Sequence, residues 1–181
     1  MARRTKSRPK VTAQIGPQTQ FLDAKSDLVV YGGAAGGGKT FALLLEALRF
    51  RKVPGFGAVI FRRVSPQITN QGGLWDEACK LFPQFGGVPR RSSHHLSWTF
   101  PAGTRISFRH LQYEETVLDW QGSQVPLIGF DELTHFTERQ FWYMLSRNRS
   151  ICGVKPYMRA TCNPDADSWV ADLLAWWIDQ E

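Results

Sequence analysis

The octet Gly33-Ala34-Ala35-Gly36-Gly37-Gly38-Lys39-Thr40 restricts this chain more than any other stretch of it. It fits the pattern G-x-x-x-x-G-K-[ST]. A run so rich in glycine can curl until several backbone N–H groups point at one anion, and the missing side chains let that anion come close. The flanks matter as much. Leu28-Val29-Val30-Tyr31-Gly32 is a short apolar run of the buried-strand type. Thr40 to Arg51 carries Phe41, Leu44, Leu45 and Leu48 at helical spacing. The loop therefore opens a helix, whose positive dipole end faces whatever the loop holds. Gly33, Gly36, Gly37 and Gly38 form a cradle for nucleotide phosphates, Lys39 is placed to reach the β- and γ-phosphates, and the Thr40 hydroxyl is placed to coordinate Mg²⁺. The competing reading is a flexible glycine linker, but a linker would not carry Lys-Thr at the mouth of a helix.

Leu127-Ile128-Gly129-Phe130-Asp131-Glu132 is an apolar run that ends in two acids. With a phosphate loop upstream, such a run has the shape of a Walker B strand. Asp131 would then hold Mg²⁺, mostly through water. Glu132, one residue on, points another way and is placed to polarise a water attacking the γ-phosphate. That second acid favours a hydrolase over a nucleotide switch. Ala160-Thr161-Cys162-Asn163-Pro164 closes a further strand. Asn163 can sense the γ-phosphate or its water, or Asn163-Pro164 can simply start a turn.

Other segments alternate in kind. Ala58-Val59-Ile60-Phe61 reads as a buried strand, and Ser65-Pro66 as the capped start of a helix reaching Phe82 with an interruption at Gly72-Gly73. Leu96–Phe100 and Thr104–Phe108 flank Pro101-Ala102-Gly103 as a β-hairpin, with Ile106 and Phe108 on one side. Thr137 and Gln140 form a capping box ahead of Phe141, Met144 and Leu145. Tyr157–Thr161 reads as a strand, and Ser168 caps a last helix bearing Trp169, Leu173, Trp176 and Trp177. The three tryptophans are expected to pack on the domain's own core, the alternative being a surface that meets a linker or another domain. Strands alternating with helices make an α/β fold: a mostly parallel sheet, helices on both faces, and a β-hairpin insertion. Ligands on such sheets sit beyond the carboxyl ends of the strands, where each motif above falls.

The length, 181 residues, fits one domain. Residues 1–13 read as a flexible basic arm, with Arg3, Arg4, Lys6, Arg8 and Lys10 and no acid in its first ten positions, ahead of a domain over residues 14–181. The net charge of +6 permits contact with a polyanion without requiring it. No apolar run is long enough to cross a bilayer, and the basic start lacks the apolar stretch of a secretion signal, so the chain is expected to be intracellular and not secreted. Cys79, Cys152 and Cys162 have neither the number nor the spacing of a disulfide framework or zinc site, and His94, His95 and His110 lack metal-ligand spacing.

With phosphate loop, paired acids and the Asn163 element in that order, the sequence resembles the large terminase subunits of tailed bacteriophages from about residue 15 to residue 178. Tyr31–Thr40 resembles that family's Walker A segment, Ile128–Glu132 its Walker B segment with catalytic glutamate, and Thr161-Cys162-Asn163-Pro164 its coupling motif. Gly16-Pro17-Gln18-Thr19-Gln20-Phe21-Leu22 is similar to its adenine-reading segment, which assigns that role to Gln18, with Gln20 as second choice. The resemblance implies a RecA-like (ASCE) P-loop NTPase fold and an ATPase motor that moves double-stranded DNA into a procapsid. The implied partners are the portal protein and the small terminase subunit. The implied setting is the host cytoplasm, as a homo-oligomeric ring at work and a monomer in isolation. Two departures matter. The family often carries an arginine inside the phosphate loop, where Ala34 and Ala35 stand, and another before a glycine upstream of Walker B, where Gln121-Gly122 stands. Arg147 and Arg149 are the remaining arginine-finger candidates, by charge and position. The family's C-terminal nuclease domain, with its clustered acids, is expected to be absent from this chain. Two other classes remain: a nucleic-acid helicase or remodelling ATPase core, and a nucleotide-binding regulatory module.

Overall fold

The structure, a computed structural model, describes residues 11–34, 36–92 and 95–177. The basic run over residues 1–10, Ala35 of the glycine loop and His94 lie outside the described residues. Val11, at the end of the expected arm, packs against the core.

The described residues form one seven-stranded sheet. Its strands are β1 (Leu28–Gly32), β2 (Gly57–Arg62), β3 (Val88–Arg91), β4 (Leu96–Thr99), β5 (Arg105–His110), β6 (Leu127–Phe130) and β7 (Tyr157–Cys162). They lie in the order β1-β7-β6-β2-β5-β4-β3. The first five in that order are parallel neighbours. The last two are antiparallel. Strand β7, last in the chain, thus sits between the strand before the glycine loop and the strand before the paired acids. The expected hairpin, β4–β5, extends the main sheet, because β5 pairs in parallel with β2.

Six α-helices flank this sheet among the described residues: α1 (Pro17–Asp23), α2 (Lys39–Ala47), α3 (Ser65–Thr69), α4 (Leu74–Leu81), α5 (Glu138–Leu145) and α6 (Trp169–Leu174). Two-residue alternation sorts side chains between two cores. Ala58 and Ile60 of β2 face Leu43 and Leu44 of α2 and Leu74 and Ala78 of α4. Val59 and Phe61 face the other way, with Ile128, Phe130, Phe141, Met144 and Val170. Gly129 interrupts its apolar strand because α2 lies so near: a Cβ there would stand 3.1 Å from Ile60 Cγ1 and 3.3 Å from Leu43 Cδ1. No helix among the described residues is long and apolar enough to cross a membrane.

The interruption expected at Gly72-Gly73 separates α3 from α4, with Gly72 at φ 75°. Ser65 is not the cap of α3. Val64 takes that place, leaving Ser65 and Pro66 as the first two helical residues, where proline's missing N–H is not needed. Thr137 and Ser168 do cap α5 and α6. The last tryptophans correct the expectation of a shared core. Trp169 packs on Phe141 and donates to the Phe136 carbonyl at 2.8 Å, but Trp176 is 90% exposed and Trp177 74%. Helix α6 buries Val170, and the 3₁₀ turn Ala175–Trp177 runs past that contact. Helix α1 and strand β3 have no counterpart in the sequence reading. Strand β3 is wholly exposed and carries Pro89, Arg90 and Arg91, residues that guard a sheet edge against further pairing.

Candidate active site

Alternation that fills the cores also aims the polar residues. Leu127 and Gly129 of β6 face α2, so Asp131, two positions on, faces the start of that helix. In β2 the series Ala58, Ile60, Arg62 faces the same way, and in β7 the series Tyr157, Arg159, Thr161 does too. All three strands end at one rim of the sheet, and the glycine loop turns over it from β1.

At that rim the side chains meet. The Thr40 hydroxyl lies 3.2 and 3.1 Å from the two Asp131 oxygens. Thr161 donates to Asp131 Oδ1 at 2.7 Å and accepts from the Glu132 N–H at 3.0 Å. The Arg62 guanidinium sits 2.6 Å from Asp131 Oδ2. Asp131 is fully buried, so these donors together offset its lost hydration. The Lys39 ammonium donates to the carbonyls of Gly33 and Ala34 at 2.7 and 2.8 Å and to Asn163 Oδ1 at 2.9 Å. Strand β7 therefore touches both halves of the site, Thr161 on the acid and Asn163 on the lysine. A threonine hydroxyl beside a carboxylate is a hard-oxygen donor set that suits magnesium.

Glu132 has an unusual backbone. Its φ is 63°, the one positive value outside glycine among the described residues. One of its carboxylate oxygens is buried and has no hydrogen-bond partner among the described residues. Burial pushes the Cys162 thiol pKa up; the Glu132 charge adds to this and Lys39 opposes it, so both charges reach this end of β7.

The loop is braced from α1. Gln18, 3% exposed, donates to the Gly38 carbonyl at 3.1 Å and accepts from the Gln14 N–H at 2.9 Å. Gly38 has φ 69°, a backbone that suits glycine, and a Cβ there would collide with the Gln18 amide. Tyr31 donates to the Gly37 carbonyl at 3.1 Å. Gln18 also lines a cavity of about 310 Å³ with Gln14, Ile15, Pro17, Tyr31 and Gly33. Gln20 is exposed and does not line it. Gly33, Gly36 and Gly38 all have positive φ, the curl that the octet called for.

Arg147 and Arg149 stand elsewhere. The Arg147 carbonyl accepts from Val125 N–H at 3.1 Å, just ahead of β6, and its side chain lies over Tyr143. That is the opposite rim of the sheet from the glycine loop. Arg149, two residues on, is exposed. The sequence assigns no role to Arg62, and it marks Tyr31 only as part of the segment before the glycine loop. The available signal was that Arg62 ends an apolar strand in the same way as Asp131.

Residues 30–181 match the family model described as terminase large subunit, T4-like-virus type, N-terminal. The chain belongs to this family. Solved terminases share its fold. The large terminase of a thermophilic bacteriophage superposes with a TM-score of 0.68 at 16% identity, over 88% of this chain and 43% of that one. The HK97 bacteriophage large terminase gives 0.66 at 14% identity, over 91% and 37%. The N-terminal domain of the DNA packaging ATPase from bacteriophage phi29 gives 0.63 at 14% identity, over 91% and 87%. The thermophilic phage's protein has also been solved with ADP and with ATP-γ-S, at TM-scores of 0.58 and 0.56 and identities of 19% and 20%, over 82% of this chain and 38% and 37% of that protein. This terminase chain thus spans less than half the length of the thermophilic phage and HK97 proteins. Comparison with curated protein sequences finds no match.

Proposed function

We propose that this terminase domain is the ATPase motor of a DNA-packaging machine: it hydrolyses ATP and drives double-stranded DNA into a viral procapsid. The observation that carries the reading is the meeting of Thr40 with Asp131 at 3.1 Å, beside the contact of Lys39 with Asn163 at 2.9 Å. Family membership and the nucleotide complexes of the thermophilic phage relative support it.

In this mechanism the backbone N–H groups from Gly36 to Thr40 receive the phosphates, and Lys39 exchanges its carbonyl partners for phosphate oxygens. Thr40 and Asp131 would hold magnesium, which would supply positive charge to offset that of the phosphates. Glu132, with an unpaired carboxylate oxygen, orients the attacking water. Catalysis is then positioning and charge stabilisation. Asn163 feels the lysine's change of partner and passes it into the chain after β7. Gln18 fixes the loop from below and borders the pocket for the base. Arg147 and Arg149, on the far rim, can reach only a neighbouring subunit's nucleotide, as arginine fingers in a homo-oligomeric ring. The portal protein and the small terminase subunit complete the machine in the cytoplasm of the infected host.

A phosphate-release assay tests this. The parent chain should release phosphate from ATP, Lys39→Ala should lose both binding and turnover, and Glu132→Ala should bind nucleotide without turning it over. Turnover by Glu132→Ala at the parent's rate would contradict the assignment. A strand-separation assay distinguishes the motor from a helicase, since the motor should move duplex without unwinding it.

A further inference from the structure

Arg62 is the feature of the site that the terminase reading leaves without a role. Its guanidinium lies 2.6 Å from Asp131 Oδ2, and its side chain is only 17% exposed. Its buried Nε has no acceptor among the described residues. Among the described residues, Asp131 is the one group paired with this side chain. The same carboxylate is bonded to the Thr40 hydroxyl. A protein cation therefore occupies the carboxylate that the nucleotide's metal requires.

We propose that Arg62 is a positioning residue that works by exchange: it holds Asp131 against Thr40 and Thr161, yields the carboxylate to the divalent cation that arrives with the nucleotide, and then turns to the terminal phosphate. This inference rests on the reading of Thr40 and Asp131 as magnesium holders. Two cations on one buried carboxylate repel each other strongly, because little water is present to screen them. A half-buried guanidinium that loses its anion must find another. The terminal phosphate would supply that anion, since Arg62 and Thr40, the last residue of the glycine loop, share the Asp131 carboxylate. Arg62 also has a free donor to offer it in the unpaired Nε. ADP lacks that phosphate, so the exchange leaves two separate signatures.

The test uses fluorescently labelled ADP and ATP-γ-S, with the full chain and its Arg62→Met variant, titrated with magnesium. Ligand-free thermal unfolding checks that the variant is folded, and Arg62→Gln carries the same test should the methionine variant not fold. The magnesium concentration needed for half-saturation of ADP binding should fall by about fivefold or more, the scale of ordinary coupling between two ligands of one group. The preference for ATP-γ-S over ADP should fall by about as much. Arg62→Lys, which keeps the charge, should lie between parent and Arg62→Met on both readouts. An unchanged or higher magnesium requirement for ADP would overturn the exchange and leave Arg62 a brace for the carboxylate. An unchanged preference for ATP-γ-S would overturn it as well. Failure of the underlying reading shows differently: the parent itself would then bind ADP equally with and without magnesium, and the two ideas would fall together.

Discussion

Glu132 combines two costs that a purely structural residue would have shed. Its left-handed backbone, at φ 63°, is strained for any side chain with a Cβ. Such strain costs on the order of 1–3 kcal/mol and persists where the surroundings impose it. Here the Glu132 N–H is held by Thr161, and the preceding Asp131 by two hydroxyl donors and the Arg62 ion pair. Replacing Glu132 by glycine removes the strained Cβ and the unpaired carboxylate together. Glu132→Gly should therefore unfold no more easily than the parent, with stability equal or higher by about 1 kcal/mol, while turnover is lost. Chemical denaturation beside a phosphate-release assay checks both halves, and a large loss of stability would contradict the strain. At this scale the sequence was most informative where chemistry needs particular residue types side by side. Lys39-Thr40 and Asp131-Glu132 are such pairs. Arg62 and the Thr161 bridge were harder to see, because their roles come from strand register: Phe61 lies beside Phe130, so the next residues, Arg62 and Asp131, meet. Nothing local in the chain states that pairing.

The elements are joined at the rim away from the glycine loop as well. Glu46, in the last turn of α2, is fully buried and bonded twice to Arg49, at 2.8 and 2.6 Å. Arg159 of β7, 4% exposed, lies 3.9 Å from the same carboxylate and donates to the carbonyls of Ser26 and Ala24. Burial holds the Arg159 pKa below its usual value, with Glu46 opposing that shift, while the hydrogen bond to Glu46 raises that of Arg49. The helix that starts at the glycine loop is thereby tied to the strand that ends just before Asn163. Removing the carboxylate strands a buried guanidinium, so Glu46→Ala should destabilise the fold by about 3 kcal/mol or more. A denaturant midpoint close to the parent's would show that the tie is dispensable. Long apolar or capped elements were legible in advance; α1 and β3 were not. Helix α1 has seven residues and buries only Gln18 and Phe21, too few for a periodic pattern. Strand β3 is short, polar and exposed, so its pairing with β4 is all that defines it.

Across the whole molecule, strand order makes one site from motifs far apart in the chain. Inserting β7 between β1 and β6 places Thr161 and Asn163 between the acid and the lysine. The alternation of strands and helices foretold a parallel sheet with its motifs at the carboxyl rim, but not this order, which depends on long-range packing. The far rim shows the same limit: Arg147 and Arg149 qualify by charge and position in the chain, and only the turn after α5 places them away from the chain's own loop. A site assembled this way should bind nucleotide and metal as one unit. Nucleotide at a hundred times its dissociation constant should then stabilise the fold by about 2.7 kcal/mol, seen as a raised thermal midpoint in the parent and none in Lys39→Ala. The most direct test of the shared site is calorimetric titration of ATP-γ-S with and without magnesium, in the parent chain and in Asp131→Asn. The account predicts that magnesium tightens binding to the parent by about tenfold or more, one or two good charge contacts, and has little effect on the variant. Equal magnesium dependence in both proteins would contradict it.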